Sequence, residues 1–463
     1  MRSPFFALFA IFCERQVFFV EKIISENIDN KTKAILCVVL TPDKDENEVA
    51  VSLNELERLL DTAGGELFAQ VVQARQNPDN ATYLGKGKIE EIGALCKNND
   101  VKLVICDDEL SPAQIKNMED ALEEAAGKEF GEIRVIDRSM LILDIFALHA
   151  ISGEGKLQVE LAQLRYSVPR LYGKGTEMSR LGGGIGTRGP GETKLEKDRR
   201  HVKRRIQALQ EQLAELVKSR EVRRSRRDQA GIFRVAIVGY TNAGKSTLLN
   251  RLTDAGILAE DKLFATLDTT TRKYALPSGR EILLTDTVGF IRNLPHHLIE
   301  AFKSTLEEAK YNDALLIVID ASDPECVSQL DVTETLLCDL GVTDKPILYV
   351  LNKCDAAEVL PEALAARANR DKVIPISALD GRGVGRLIEE LEALAAGGRK
   401  LCCLKVPSSE MGVINKLYNN SMVEDVEYFD GYARVIATLD EKTAGQLRRF
   451  IVRPSDEREE EDN

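Results

Sequence analysis

The 463-residue sequence predicts an α/β protein, with a central parallel-sheet domain between a smaller parallel α/β domain carrying a helical hairpin and a small α+β domain. Short apolar runs alternate with helical patterns along most of the chain, which is typical of parallel sheets covered by helices. The chain is also too long for a single hydrophobic core. In its middle, a glycine-rich turn joins a buried apolar run to a helical pattern.

Changes of pattern divide the chain into six predicted segments. The first is an N-terminal extension that we expect to be disordered, and the last is an acidic tail. Between them we predict a small α/β domain, an antiparallel helical hairpin with a glycine-rich loop, a nucleotide-binding domain and a small α+β domain. In chain order, the predicted bounds are 1–32, 33–150, 151–230, 231–397, 398–453 and 454–463.

Each domain is predicted from its own run of elements. In the first domain the predicted strands are 33–40, 66–72, 101–106 and 133–136, and the predicted helices are 53–60, 89–96 and 112–125. In the nucleotide domain the predicted strands, all parallel, are 235–239, 282–285, 315–319, 347–351 and 373–376. In the last domain a βαββα order is predicted over 401–406, 411–418, 423–429, 432–439 and 443–451. The turn at 83–88 lacks the Gly-Lys-Ser ending of a phosphate loop, so we predict that it opens a helix.

Charge and cysteine content limit the possible partners and compartments. The formal net charge of −13 provides no global basic field, so any binding to nucleic acid must be local. The nine cysteines form no C-x-x-C pair, which favours a reduced, cytoplasmic compartment over a disulfide framework or a zinc site. The apolar run at residues 4–13 is too short to span a bilayer. We expect a cytoplasmic monomer without stable membrane insertion, and peripheral membrane association stays open.

The glycine-rich turn has the pattern of a phosphate-binding loop. Its sequence is Gly239-Tyr240-Thr241-Asn242-Ala243-Gly244-Lys245-Ser246, which is G-x-x-x-x-G-K-S between a predicted strand and a predicted helix over 247–252. Glycines let backbone N–H groups wrap a polyphosphate, the lysine reaches the terminal phosphates, and the hydroxyl meets Mg²⁺. A chance glycine-rich turn is disfavoured because further pieces of the same kind of site follow.

Four further pieces follow the loop in a consistent order. Asp286-Thr287-Val288-Gly289 offers a carboxylate to Mg²⁺ and a glycine close to the γ-phosphate. Asn352-Lys353-Cys354-Asp355 offers a carboxylate to guanine N1 and N2, and Ser377-Ala378-Leu379 offers a backbone N–H to guanine O6. The segment Phe264-Ala265-Thr266-Leu267-Asp268, followed by Thr269, Thr270 and Thr271, can close on Mg²⁺ and the γ-phosphate. Together these pieces predict a domain that binds and hydrolyses GTP.

Two residues of the predicted site bear on how hydrolysis is completed. Phe290 stands where many GTPases place a glutamine that orients the attacking water. Since an apolar side chain cannot orient water, we expect slow intrinsic hydrolysis unless a partner, another domain or an ion supplies the missing group. Asn242 stands where potassium-activated GTPases carry an asparagine ligand, so K⁺ is a candidate cofactor beside Mg²⁺.

Leucine-rich seams and a basic run predict a helical hairpin that faces phosphate. The seams have heptad-like spacing and consist of Leu157, Leu161, Leu164, Val168 and Leu171, then Leu195, Val202, Ile206, Leu209, Leu213 and Leu216. The interval 180–192 holds six glycines and is either a flexible linker or an arm for an irregular surface. Residues 194–227 carry 13 basic and 5 acidic side chains, which favours phosphate contact over a solvated charged face. The candidate RNA-binding residues are Arg180, Arg188, Lys194, Arg199, Arg200, Lys203, Arg204 and Arg205.

Motifs outside the nucleotide domain resemble those of the HflX family, translation-associated GTPases related to the Obg class. They are Ser111-Pro112-Ala113-Gln114, Leu141-Ile142-Leu143-Asp144-Ile145-Phe146, Gln158-Val159-Glu160-Leu161, and Gly182-Gly183-Gly184-Ile185-Gly186 with Arg188-Gly189-Pro190-Gly191-Glu192. The resemblance covers roughly residues 33–400. It implies binding to the large ribosomal subunit, GTP hydrolysis stimulated there, and a role in ribosome splitting, recycling or rescue under stress. It also implies that the glycine-rich loop reaches ribosomal RNA near the peptidyl-transferase centre.

The resemblance also implies roles for individual residues. It places Ser246 and Thr266 as Mg²⁺ ligands, with Thr270 and Thr271 as rivals of Thr266. Lys245, Thr266 and Gly289 are then the catalytic candidates, acting on the β- and γ-phosphates of GTP. Thr269 departs from the family, in which this position is commonly proline.

Two functions of other classes stay open. The protein could be a nucleotide-driven RNA remodelling enzyme, although the chain contains no helicase motif set. It could also be a regulatory switch that acts on a protein partner and does not use its basic residues.

Overall fold

The computed structural model describes residues 31–168, 200–218, 232–253, 263–264, 267, 269–293, 307–342, 345–357, 364, 373–396, 400–420, 422–429, 431–439 and 441–452. The chain forms two compact units. One consists of residues 1–272 and 283–380, and the other of residues 273–282 and 381–463. Within the described ranges, no helix has both the length and the apolar character needed to cross a membrane.

The first domain contains the predicted parallel sheet. Its strands are β1 (Thr32–Leu40), β2 (Gly65–Ala74), β3 (Leu103–Cys106) and β4 (Arg134–Asp137), in the spatial order β2-β1-β3-β4. Side chains alternate along β1, so that Leu36 and Val38 join one hydrophobic cluster and Ile35 and Cys37 join another. Both faces of the sheet are therefore covered, as expected for parallel strands.

Helices cover both faces of this sheet. They are α1 (Glu46–Thr62), α2 (Lys86–Asn99), α3 (Pro112–Ala126) and α4 (Arg138–His149). Helix α1 begins seven residues earlier than predicted, because Asp45 and Glu48 form a capping box at its start. Gly85 is the N-cap of α2, which confirms that the turn at 83–88 opens a helix.

Helix α4 was not predicted from the sequence. Its residues are buried almost all round, from Leu141 to Phe146, so the amphipathic periodicity that identifies a surface helix is absent. Its start is marked by Asp137, whose carboxylate accepts a hydrogen bond from the Met140 N–H at 2.9 Å.

The two seams of the predicted hairpin pack together where the structure describes them. Helix α5 (Gly153–Ser167) and the helical residues 200–218, named α6, share a small cluster formed by Leu161, Leu164, Val202 and Leu209. Leu171, Leu195 and the glycine-rich interval 180–192 lie outside the described residues.

The nucleotide domain is built on a six-stranded sheet. Its strands are β5 (Phe233–Gly239), β6 (Thr270–Ala275), β7 (Glu281–Asp286), β8 (Ala314–Asp320), β9 (Ile347–Asn352) and β10 (Val373–Pro375), in the order β10-β9-β8-β5-β7-β6. The pairs β5–β8, β8–β9 and β9–β10 are parallel, as predicted. Strand β6 has no counterpart among the predicted strands, because Thr270 and Thr271 belong to the predicted threonine-rich segment. Helices α7 (Lys245–Thr253) and α8 (Cys326–Asp339) follow β5 and β8.

The second unit contains the C-terminal domain. Helix α9 (Val384–Ala395) precedes β11 (Lys400–Pro407), α10 (Gly412–Asn420), β12 (Met422–Phe429), β13 (Tyr432–Leu439) and α11 (Glu441–Gln446). The sheet order β11-β13-β12 is antiparallel, and the hairpin is confirmed. The predicted helix over 443–451 is wrong in extent, because the chain leaves α11 to place Ile451 opposite Leu404 and to donate the Val452 N–H to Cys403 at 2.9 Å.

Candidate functional site

The phosphate-binding loop requires glycine at both of its ends. Gly239 has a φ of 148° and Gly244 a φ of 90°, in the region that favours glycine. A Cβ atom at Gly239 would collide with the Val318 carbonyl, and one at Gly244 would collide with the Asn352 amide. The loop therefore lies tightly between β8 and the end of β9.

Lys245 is buried at the centre of the loop. Its Nζ donates hydrogen bonds to the carbonyl oxygens of Tyr240 at 2.7 Å and Gly239 at 3.3 Å. Burial lowers the pKa of Lys245 to about 8, although the carboxylate of Asp286 opposes this change. A Cβ atom at Gly289 would lie 2.8 Å from this Nζ, so Gly289 and Lys245 border the same space.

Ser246 and Asp286 form an oxygen pair suited to magnesium. The Ser246 hydroxyl donates to Asp286 Oδ2 at 2.6 Å, and Asp286 is fully buried at the end of β7. Hydroxyl and carboxylate oxygens are the protein ligands that Mg²⁺ prefers. The residues present therefore fit a Mg²⁺ ion, which would neutralise phosphate charge when bound. Thr266, the other predicted ligand, lies outside the described residues, while Thr271 lies in β6 with its hydroxyl 3.1 Å from that of Thr285.

Asn352 joins three parts of the predicted guanine site. Its Nδ2 donates to the Ala243 carbonyl at 2.9 Å, and its Oδ1 accepts the Ala378 N–H at 2.9 Å. The Ala378 amide therefore holds its loop to β9 in this structure, instead of being reserved for guanine O6. Lys353 pairs with Asp320 at 2.7 Å, and Asp355 is exposed, as a side chain that reads a base must be.

The other predicted nucleotide-binding residues are distributed around this frame. Thr287 is buried and donates its hydroxyl to the Ile237 carbonyl at 2.8 Å. Val288 and Ser377 are buried, Cys354 is half-buried and Leu379 is 73% exposed. Ala265 and Asp268 lie outside the described residues.

Phe290 is part of the hydrophobic core. Its side chain is 2% exposed, its N–H donates to the Gly239 carbonyl at 3.1 Å, and its carbonyl accepts the Thr241 N–H at 2.8 Å. The side chain therefore cannot orient a water molecule, as the sequence predicted, and its backbone ties the segment after Gly289 to the phosphate loop.

The first domain contacts the phosphate loop and the segment that precedes β6. The buried hydroxyl of Tyr240 donates to Glu55 on α1 and accepts the Arg292 N–H at 2.8 Å. Burial and the Glu55 carboxylate raise the pKa of Tyr240, so this hydroxyl keeps its proton. The Phe264 and Phe146 rings meet edge to face with their centroids 4.7 Å apart.

Arg138 holds Glu55 in place. Its guanidinium is 2% exposed and pairs with Glu55 at 2.8 Å and with Asp107 at 2.6 Å, and it also donates to the Ser52 carbonyl at 2.9 Å. Burial disfavours its charge, but the carboxylates of Asp107 and Glu55 outweigh burial and raise the pKa of Arg138. Sequence reasoning missed this network. The signal that could have indicated this network is an arginine placed directly before the mainly apolar residues 139–147.

The predicted RNA-binding residues are partly described. Arg200, Lys203 and Arg204 are exposed on α6. Arg205 is also exposed but forms a fork with Glu160 on α5, with distances of 2.7 and 2.8 Å. Arg180, Arg188, Lys194 and Arg199 lie outside the described residues.

The fold and this site together define a P-loop GTPase. Family models match along the chain: "GTP-binding GTPase N-terminal" over 50–147, "GTP-binding GTPase Middle Region" over 149–227, "50S ribosome-binding GTPase" over 234–353 and "HflX C-terminal domain" over 363–462. The "GTPase HflX" of Caldanaerobacter subterraneus is 48% identical over 91% of this chain and 94% of its own length. The "GTPase HflX" of Escherichia coli is 40% identical over 86% and 91%. The chain belongs to the HflX family of GTPases.

A solved structure is also similar. The GTP-binding protein from Sulfolobus solfataricus in complex with GDP is 29% identical, with a TM-score of 0.41, and the match covers 79% of this chain and 99% of that one.

Proposed function

We propose that this GTPase binds the large ribosomal subunit and hydrolyses GTP there, in ribosome splitting, recycling or rescue under stress. The carrying observation is the basic surface of α6, where Arg200, Lys203 and Arg204 project from a helix that packs on α5. On a chain with net charge −13, such a local basic surface suits RNA phosphates. The match of residues 234–353 to a family described as "50S ribosome-binding GTPase" supports the same partner.

In this proposal each site residue has one task. Lys245 stabilises charge on the β- and γ-phosphates, Ser246 and Thr266 hold Mg²⁺, and Gly289 lies beside the γ-phosphate. Asp286 supports the metal, and Asp355 selects guanine. GTPases of this family use Mg²⁺, and K⁺ at Asn242 is a second cation that we propose. The six domain bounds given above, a monomeric state and a cytoplasmic location belong to the same proposal.

Sedimentation with purified large subunits tests the ribosome role. The full chain should sediment with them, more strongly in one nucleotide state than in the other, and binding should fall as salt rises. A variant with Arg200, Lys203 and Arg204 changed to alanine should bind more weakly and show a shallower salt dependence. A control with the same charge change, at the exposed residues Lys86, Lys97 and Lys128, should bind like the wild type.

Three other results would contradict the proposal. If the α6 variant and the control bind large subunits equally well, α6 does not contact ribosomal RNA. If the wild type does not sediment with large subunits in any nucleotide state, the ribosome is excluded as its partner, and a switch that acts on a protein is favoured. Unwinding of a model RNA duplex without ribosomes would favour the RNA remodelling enzyme.

A further inference from the structure

Phe290, directly after Gly289, leaves the site without the polar side chain that many GTPases place at this position to orient the attacking water. A water oxygen forms a bond to the γ-phosphorus, and the bond between the γ-phosphorus and the β–γ bridging oxygen breaks. The electron pair of the broken bond stays on the bridging oxygen, which becomes part of GDP. The water proton leaves on the released phosphate. Charge that develops on these oxygens is stabilised by a donor placed beside the γ-phosphate, and an arginine is a frequent choice. Phe290 is buried and cannot take part.

A cavity of about 260 Å³ opens beside the phosphate loop, between that loop and helix α1. Thr241 and Asn242 form its loop side. Thr241 also borders the space of the terminal phosphate, because a Cβ atom at Gly289 would lie 2.7 Å from Thr241 Cα and 2.8 Å from Lys245 Nζ. The Thr241 hydroxyl is buried and has no hydrogen-bond partner in the described part of the chain, so the loop side of the cavity can accept a polar ligand.

The acidic side chains around this cavity already have partners. Glu55 pairs with Arg138 and accepts from Tyr240. Asp320 pairs with Lys353, Glu325 pairs with Arg292, and Asp323 accepts from Gln329 at 2.8 Å. The carboxylates around the cavity therefore already have hydrogen-bond or ion-pair partners, and few of them can pair with a further cation that enters it.

Arg58 lines the same cavity from α1. It follows Glu55 by three residues, so both side chains lie on the same side of the helix. Its side chain is exposed, and among the described residues its guanidinium makes no ion pair. The turn of α1 that carries it is held by the Thr62 hydroxyl, which donates to the Arg58 carbonyl at 2.8 Å. Arg58 thus lines the cavity from a hydrogen-bonded turn of α1, opposite Thr241 and Asn242 of the phosphate loop.

We propose that Arg58 is a catalytic arginine that the first domain supplies to the nucleotide site of the same chain. With GTP bound, its guanidinium enters the cavity beside Thr241 and donates hydrogen bonds to the γ-phosphate oxygens in the transition state. It forms and breaks no covalent bond, and its contribution is positive charge in a fork that matches phosphate geometry. The proposal rests on GTP hydrolysis and is independent of ribosome binding.

Single-turnover hydrolysis by the full chain without ribosomes tests this role. Arg58→Ala should lower the rate by about a thousandfold or more, since an arginine that stabilises transition-state charge contributes about 10³- to 10⁵-fold to kcat. Arg58→Lys keeps the charge but not the fork, so its rate should lie between those of Arg58→Ala and the wild type. Lys97→Ala removes an exposed cation from α2 of the same domain and should leave the rate unchanged.

Binding measurements separate a catalytic role from a structural one. The affinity for GDP should be equal in the wild type and Arg58→Ala, because the arginine acts on the γ-phosphate. The affinity for GDP with aluminium fluoride, which imitates the transferring phosphoryl group, should fall by at least tenfold in Arg58→Ala. The proposal would be overturned if Arg58→Ala bound GDP with aluminium fluoride as tightly as the wild type does. It would also be overturned if Arg58→Ala lost as much affinity for GDP alone as for GDP with aluminium fluoride.

Hydrolysis in potassium and in sodium buffers distinguishes Arg58 from a cation bound at Asn242. A catalytic arginine predicts that Arg58→Ala is slow in both salts. If Arg58→Ala hydrolyses GTP at the wild-type rate in potassium, the cation alone supplies the charge and the proposal is wrong. A failure of sedimentation with ribosomes would leave this result untouched, so the two proposals fail separately.

Discussion

Replacing Arg138 by alanine should destabilise the first unit far more than the loss of an ion pair at its surface. The guanidinium is 2% exposed, and its partners Glu55 and Asp107 have side chains that are 12% and 4% exposed. Truncation leaves two largely buried carboxylates without the cation that pairs with both of them. Removing one partner of a buried pair costs about 3–5 kcal/mol.

This cost is large against the stability of the whole fold. Natural domains unfold with a free energy of about 5–15 kcal/mol, so Arg138→Ala should remove about a fifth of it or more. Arg138→Lys should cost less than Arg138→Ala, because an ammonium keeps a charge near one carboxylate but cannot form both pairs at once.

Arg205 provides a control with the same chemistry at the surface. It forms an equally short pair with Glu160, at 2.7 Å, but the two side chains are 45% and 36% exposed. Solvent screens such a pair, and Arg205→Ala should cost about 1 kcal/mol or less.

Urea denaturation of the full chain, followed by circular dichroism, measures both variants. The Arg138→Ala transition should move to clearly lower urea than that of Arg205→Ala. If the two variants lose equal stability, burial does not set the strength of these pairs and the reasoning is refuted.

Two further predictions concern the nucleotide. Asp355→Asn should weaken GTP binding by roughly 1–3 kcal/mol, as for a lost charge-assisted hydrogen-bond pair. The same change should improve binding of xanthosine triphosphate, whose purine has a carbonyl in place of the amino group of guanine. Titration calorimetry with both nucleotides checks this, and an unchanged preference for GTP over xanthosine triphosphate would contradict it. Since burial sets the pKa of Lys245 to about 8 and a phosphate favours its charged form, GDP binding should take up a proton increasingly as pH rises from about 7 to about 9, with affinity falling above about pH 8. Calorimetry in buffers of different ionisation enthalpy measures the uptake, and zero uptake at the upper pH would exclude this pKa.

Local patterns were enough to predict the phosphate loop and most strands. Strands such as β5 and β8 are nearly continuous apolar runs, because both faces of a parallel sheet are covered. Helix α4 could not be predicted for the same reason, because burial on all sides removes the periodic spacing of apolar residues that distinguishes a helix from a strand. The end of the chain was mispredicted because pairing of Ile451 with Leu404 depends on a strand nearly fifty residues away.

The contacts around Tyr240 could not be predicted from any local pattern. Tyr240 and Glu55 are 185 residues apart, and Arg138 and Glu55 are 83 residues apart. Each residue has an ordinary local interpretation: Glu55 is a polar residue on an amphipathic helix, and Tyr240 fills a variable position of the loop. Their roles follow from tertiary packing alone.

Tyr240 links the phosphate loop to the rigid part of the first domain. Its carbonyl accepts a hydrogen bond from Lys245 at 2.7 Å, and its hydroxyl donates to Glu55. A phosphate is a stronger acceptor than this carbonyl, so a bound nucleotide competes for the Lys245 ammonium. Arg138 joins Glu55 and Ser52 of α1 to Asp107, which directly follows β3, so buried polar contacts hold α1 to the sheet. A catalytic group on such a helix is positioned more precisely than one on a mobile loop, which is the physical reason to look for it at Arg58.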